Sequence, residues 1–160
     1  MFGWNRDGQI DPVDIDIWLG YDDDDSPVTI ELNEYTFYFV QELEPKQSFF
    51  GKVKEYSPQA VLFKKDQKPL HRFGHGTFCK FSLNSSQYYG AMGVYAIFDE
   101  TYLLYIGSTE NLAKRINFYY GLITAKDCYL SSPETNCKIN SLILHKYQNE
   151  EKVFLFFLET

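Results

Sequence analysis

The sequence predicts an α+β fold, a small central antiparallel sheet with flanking helices, preceded by a β-rich N-terminal lobe. Two short apolar runs, Gly93 to Phe98 and Leu103 to Ser108, flank the polar stretch Asp99-Glu100-Thr101-Tyr102, the pattern of a β-hairpin. Leu112, Ile116 and Tyr119 or Tyr120 then recur at helical spacing, with Glu110 in the first turn and Gly121 as the stop. Near the end, Val153-Phe154-Leu155-Phe156-Phe157-Leu158 is apolar throughout, as in a strand buried on both faces.

From the start of the chain, Val13, Ile15 and Ile17 alternate with Asp14 and Asp16, which reads as an exposed strand. Asp11-Pro12 would equally cap and open a short helix there. Asp22 to Asp25 reads as a loop, either solvated or a docking surface for a protein partner. Val28 to Leu32 and Tyr35 to Gln41 form a strand pair around Asn33-Glu34. Phe49 to Lys54 and Ala60 to Lys64 are strand-like, with turns at Ser57-Pro58 and Lys68-Pro69. Gly74 and Gly76 permit positive φ or a close backbone approach. No helix start follows them, as a phosphate cradle requires, so a turn into a strand from Phe78 to Leu83 is expected. The expected division is therefore residues 1–90, an acidic start and β-rich region with a basic segment at 46–80, and residues 91–160, the hairpin unit.

In an antiparallel pair, facing residues share a side and neighbours along a strand alternate. With Tyr95 facing Tyr105, the turn has three residues (Asp99 to Thr101) or a bulge adjusts the register. One face then carries Tyr95, Ile97, Leu103 and Tyr105. The other, expected to be the core face, carries Val94, Ala96, Phe98, Leu104 and Ile106. On the helix, Arg115 and Tyr119 stand four apart and share a face. Phenols and a guanidinium on one surface suit phosphodiester hydrolysis with a metal. A phenol holds or deprotonates a water, and the arginine stabilises charge developing on the phosphorus oxygens. The chain has thirteen tyrosines, so half-buried strand aromatics and a solvated helix charge would also account for these residues.

Farther on, Asn136 is a candidate N-cap for a helix through Tyr147, with Ile139, Leu142, Ile143 and Tyr147 on one side and Asn149 as the stop. Lys138 and Asn140 sit near its start, where polar groups and free amides can meet a phosphate. Helix capping and solvation explain them as well.

A chain of 160 residues can bury a proper core as one domain, with or without an appended lobe. Its net charge of −7 is unevenly placed: residues 1–44 hold twelve acids and one base, and residues 45–160 hold fourteen bases and ten acids. Local cations govern phosphate affinity, so the segment with Lys64, Lys65 and Arg72 leaves DNA open as a partner. Cys79, Cys128 and Cys137, an odd and sparse set, suggest reduced thiols in a cytoplasm. A zinc site from these with His71 and His75 would lack the tight Cys-x-x-Cys knuckle. No signal-peptide pattern or membrane-length apolar run is visible, so no membrane association is expected.

Gly93-Val94-Tyr95, Tyr105-Ile106-Gly107, Ser108-x-x-Asn111-Leu112 and Arg115, at this spacing, closely resemble the GIY-YIG nuclease family. A microbial subgroup is also similar in Gly76-x-Phe78-Cys79-x-Phe81, in the run from Tyr120 to Tyr129 and in Glu134 to Asn140, so the resemblance covers about residues 73–160. It implies an endonuclease that hydrolyses DNA with one Mg²⁺ or Mn²⁺. In that reading Tyr95 is nearest the attacking water, Tyr105 orients it, Arg115 stabilises the transition state and Tyr119 supports the phosphate or leaving group. Gly107, Ser108, Asn111, Lys138, Asn140, Lys64, Lys65 and Arg72 are the candidate substrate contacts. RNA stays open as a substrate, as does a catalytically silent nucleic-acid-binding or protein-docking module on the same scaffold. In the family a further helix follows the last strand and carries the metal-binding glutamate. The sequence here stops at Thr160, and Glu159 does not occupy that position. The expectation is that the family's final helix and metal ligand are missing, and that residues 1–160 by themselves cleave weakly or not at all.

Overall fold

The structure is a computed structural model, and it describes residues 27–60 and 68–160. Lys64, Lys65, the aspartate run Asp22 to Asp25 and the alternation from Val13 to Ile17 lie outside the described residues. The chain forms two compact units, each built from separated segments. The first takes the stretch ending at Leu43, Asn84–Leu112 and Glu151–Thr160; the second takes Glu44–Leu83 and Ala113–Glu150. This division does not fall near residue 90: the early strands join the hairpin, and the described basic residues join the helices.

The first unit is an antiparallel sheet of β1 (Thr29–Leu32), β2 (Tyr35–Glu42), β3 (Gly93–Phe98), β4 (Leu103–Thr109) and β5 (Phe154–Glu159), in the order β1-β2-β5-β3-β4. Asn33 and Glu34 both take positive φ, 48° and 71°, between β1 and β2. Paired positive φ values match the right-handed twist of a tight hairpin. β5 has a strand on each side, and Phe154 to Phe157 are all buried, in keeping with its apolar run. Ile30, Phe37, Ala96, Phe98, Phe154 and Phe156 form one continuous cluster on one face of the sheet. Phe39 and Phe98 meet the ring of Phe156 edge-on, with centroids at 5.5 and 5.3 Å.

The hairpin register differs from the expected one at two points. Phe98 pairs with Leu103 and Ile97 with Tyr105, so Leu104 is an extra residue in a bulge. Leu103 therefore packs with the Phe98 cluster and not beside Tyr95. The turn drives this: the Asp99 carboxylate accepts from the amides of Thr101 (2.7 Å) and Tyr102 (2.5 Å), closing a four-residue loop. Second, β3 is buried on both faces, with Tyr95, Ala96, Ile97 and Phe98 all closed to solvent.

In the second unit the expected α-helix is α-helical only over α1 (Leu112–Lys114) and continues as a π-helix, Arg115–Tyr120. Glu110 precedes it. The Gly121 amide closes it on the Ile116 carbonyl at 2.7 Å, five residues back. A Cβ at Gly121 would stand 1.9 Å from the Phe81 carbonyl oxygen and 2.6 Å from that of Ile116, so glycine is required at this stop. Next comes α2 (Thr135–Gln148), ending at Asn149 as expected. Its N-cap position is Glu134, not Asn136, whose amide donates instead to the Asp127 carboxylate at 3.2 Å. Phe78, Ile123, Cys128 and Cys137 form the buried cluster here. Gly74 is the expected close approach: a Cβ there would lie 2.3 Å from the Cys128 carbonyl oxygen. The expected strands from Phe49 to Lys54 and Phe78 to Leu83 are irregular, paired only through the bridges Gln47 to Val53 and Tyr56 to Phe78. Of the expected strand from Ala60 to Lys64, only Ala60 lies among the described residues.

Two side chains tie this unit together. Asn140 accepts from the Cys79 amide (3.0 Å) and donates to the carbonyls of Cys79 (2.7 Å) and Tyr120 (2.8 Å). The Tyr56 hydroxyl donates to the Ile123 carbonyl (2.9 Å) and accepts from its amide (2.7 Å). Asn140→Ala would leave three buried backbone groups unpaired and should cost about 3 kcal/mol or more in urea unfolding. Burial pushes the Tyr56 phenol from 10.0 up to about 12 and the Cys79 thiol from 9.0 up to about 12. Both stay neutral in the folded chain at a pH where the unfolded chain ionises them. Their contribution is full below the unfolded values and is lost as pH rises toward the folded ones. The urea midpoint should fall between about pH 9 and pH 12, less steeply above pH 10 in Tyr56→Phe; a flat midpoint through pH 12 would contradict the burial.

Candidate active site

Cross-strand pairing sets out the tyrosine face. Tyr38, Phe157, Tyr95 and Gly107 form one row across β2, β5, β3 and β4, and Leu155, Ile97 and Tyr105 form part of the next. Tyr95 and Tyr105 therefore share a face, as expected, but sit diagonally and do not face each other. Their ring centroids are 6.1 Å apart with planes at 32°. Gly107 makes this possible. A Cβ there would lie 2.6 Å from Tyr95 Oη, 2.8 Å from its Cζ and 3.1 Å from Tyr105 Cε1. The Tyr95 phenol thus lies against the space a side chain would fill. Tyr95 is 1 % exposed and Tyr105 is half-buried, so Tyr105 is the more accessible phenol.

One row on, Gly93 pairs with Thr109 and with Glu159, which places both on the tyrosine face. A Cβ at Gly93 would stand 2.1 Å from the Leu158 carbonyl oxygen, so the first motif glycine lets β5 close on β3. Thr109 ties the motif asparagine to the strand end: its hydroxyl donates to the Asn111 carbonyl and accepts from the Asn111 amide, both at 3.1 Å. Ser108, a candidate substrate contact, pairs with Val94 and stands on the opposite sheet face, because side chains alternate along a strand. Beside the row, Tyr38, Val40, Gln87, Tyr88, Phe157, Leu158 and Glu159 line an open groove of about 350 Å³. Thr109 and Glu159 were not readable as members of this face before the register was known.

The second unit holds the cationic groups. The Arg115 guanidinium lies 5.2 Å from the Tyr119 ring centroid, and the Lys114 ammonium 5.7 Å from it. Nε of Arg115 is buried without a hydrogen-bond partner among the described residues. The residue as a whole is half-buried. Lys138 is exposed on α2. Arg72 is also exposed, but its Nε pairs with Glu134 Oε2 at 3.0 Å and its guanidinium lies 4.8 Å from the Phe73 ring centroid. Exposed pairs of this kind are worth little, so Arg72 can exchange Glu134 for a phosphate. Asn140 cannot act so: it is fully buried and engaged with backbone, which removes it from the expected substrate contacts.

The thiols and histidines do not make a zinc site. Cys128 and Cys137 have sulfurs 3.9 Å apart, and the Cys137 thiol donates to Cys128, which lowers the Cys128 pKa and raises that of Cys137. His71 is buried with Nε2 2.6 Å from the Asp127 carbonyl oxygen and Nδ1 accepting from the Phe73 amide at 3.2 Å. Among the described residues no group of three or more His, Cys, Asp or Glu could hold a metal ion.

Residues 91–156 match the family model described as the GIY-YIG catalytic domain. This stretch is a GIY-YIG domain. It contains Tyr95, Tyr105, Gly107, Arg115 and Tyr119, and it implies a nuclease-type function for the GIY-YIG segment. No curated protein and no solved structure matches the chain. GIY-YIG nucleases generally use divalent metals. No helix among them is long and apolar enough to cross a membrane.

The two motif glycines separate packing from site geometry. Gly107→Ala pushes a methyl into the Tyr95 hydroxyl and should cost about 1–3 kcal/mol while altering the tyrosine near-ultraviolet circular dichroism. Gly93→Ala meets backbone, so a whole strand must shift, and it should lower the urea midpoint further. The reverse order of midpoints would show that the β3–β5 pairing relaxes easily.

Proposed function

We propose that the chain is a GIY-YIG-type endonuclease that hydrolyses DNA phosphodiester bonds and depends on Mg²⁺ or Mn²⁺. The observation supporting this most directly is the pair Tyr95 and Tyr105, brought together beside Gly107 within the GIY-YIG segment. In this reading the two hydroxyls hold and orient the attacking water, with Tyr95 nearest it. The water oxygen attacks phosphorus while the phosphorus–oxygen bond to the leaving strand breaks. Arg115, whose guanidinium lies against the Tyr119 ring, is assigned to neutralise charge developing on the non-bridging oxygens. Gly107 shapes the motif around the phenols, and Asn111 is assigned to contact substrate. Lys138 and Arg72, with Lys64 and Lys65, supply phosphate contacts. A divalent ion commonly takes one or two protein carboxylates plus phosphate oxygens. Among the described residues no group of three or more His, Cys, Asp or Glu stands ready to hold it.

Cleavage of supercoiled plasmid tests the reading, against the weak cutting at most that is expected of residues 1–160. Tyr95→Phe and Tyr105→Phe should each slow cutting by about 10²-fold or more, and Arg115→Ala by about 10²- to 10³-fold, with circular dichroism unchanged. Chelation of divalent ions should stop cutting. Full-rate cutting by all three variants would overturn it. DNA binding without cutting in saturating Mg²⁺ would favour a silent binding module.

Binding has its own test. Neutralising Lys64, Lys65 and Arg72 to Gln should reduce the salt dependence of duplex affinity by about 0.9 per lost phosphate contact. An unchanged slope would remove them from the interface.

A further inference from the structure

The most exposed apolar group among the described residues is the pair Phe49 and Phe50, 98 % and 86 % exposed. They occupy the middle of a tight turn, with rings edge-to-face at 5.6 Å. The turn is well braced. The Gly51 amide donates to the Ser48 carbonyl (2.9 Å), the Ser48 amide to the Lys52 carbonyl (2.6 Å), and the Lys54 amide to the Lys46 carbonyl (3.2 Å). Gly51 takes φ +77°, which closes the loop in a conformation side chains resist. The base is anchored where the Lys46 amide donates to the Lys80 carbonyl at 2.7 Å. Neither ring supports the fold. A fixed turn therefore holds two large apolar side chains out in water, where a flexible loop would let them collapse.

The flanks indicate what meets them. From residue 46 to 54 the sequence reads Lys-Gln-Ser-Phe-Phe-Gly-Lys-Val-Lys, with exposed Lys46, Lys52 and Lys54 and no acid. An apolar tip with a cationic collar fits a partner whose surface is anionic and whose interior is flat and apolar. Duplex DNA is such a partner: phosphates line its grooves, and apolar side chains wedge between base steps, unstacking them and kinking the helix. Surface-lying membrane binders instead use long amphipathic helices, and the tip is a four-residue turn.

We propose that Phe49 and Phe50 form a wedge that inserts into a base step of DNA, with Lys46, Lys52 and Lys54 on the flanking phosphates. This rests on the nucleic-acid reading above and adds to it a site that distorts the substrate. The full chain is mixed with a duplex carrying 2-aminopurine, whose fluorescence rises on unstacking. The wild type should raise it. Phe49→Ser with Phe50→Ser should abolish the rise and weaken duplex binding about tenfold, with an unchanged melting temperature because both rings are exposed. Lys46→Gln, Lys52→Gln and Lys54→Gln together should flatten the salt dependence by up to about 0.9 each. Tyr95→Phe should stop cutting and keep the fluorescence rise. A double serine variant that binds and unstacks DNA like the wild type overturns the wedge and leaves the nuclease reading intact. A wild type that neither binds nor cuts DNA overturns both. Capture by phosphatidylserine vesicles in place of DNA, lost in the double serine variant, overturns the wedge in favour of a membrane.

Discussion

The first unit depends on the insertion of Phe154–Glu159 between Tyr35–Glu42 and Gly93–Phe98. This last strand joins two hairpins made far apart in the chain, and its neighbours on both sides are antiparallel to it. Without it each hairpin would be a two-stranded ribbon, marginal by itself in water. With it, apolar residues of both hairpins share one buried cluster around Phe156. The insertion also fixes the chemistry, because the pairing of Phe157 with Tyr95 sets which side chains stand beside the tyrosine. Gly93 is where this constraint is tightest, since a Leu158 carbonyl oxygen occupies the place of its missing side chain.

Glycine recurs at such places for one reason with three outcomes. At Gly93 the absent Cβ admits a neighbouring strand, at Gly107 a phenol, and at Gly121 the Phe81 carbonyl. The polar groups divide in a similar way. Asn140 and Tyr56 look as reactive in sequence as Arg115 does, yet their hydrogen bonds are completed by backbone. Arg115 is half-buried, and its Nε lacks a partner among the described residues, as does the buried Oε1 of Gln59.

Much of this was legible before the fold was known. The Asn33-Glu34 hairpin, the two-sided burial of the last strand, the stop at Asn149 and the shared face of Tyr95 and Tyr105 all follow from local patterns. The departures lie in backbone details that apolar patterning does not carry. The strand-like apolar residues Phe49 and Phe50 lie on a turn, because Gly51 and the Ser48 bonds close the chain there. Ser108 lies off the tyrosine face, and the bulge at Leu104 moves Leu103 to the cluster side. The π-helix replaces an α-helix of the same residues because Gly121 bonds back five positions to Ile116.

By itself the sequence determined the elements whose signals are local: apolar alternation, positive-φ turn residues, and the motif spacing that brings two phenols to one strand pair. These depend on backbone geometry within a few residues, so they can be read in order. Tertiary structure decided the sheet order, the diagonal offset of the two tyrosines, the place of Thr109 and Glu159 on their face, and the burial of Asn140. Each of these depends on which strand or carbonyl, tens of residues away, occupies a neighbouring space. No local pattern encodes that choice; it is made by packing, when all the apolar faces must be covered at once.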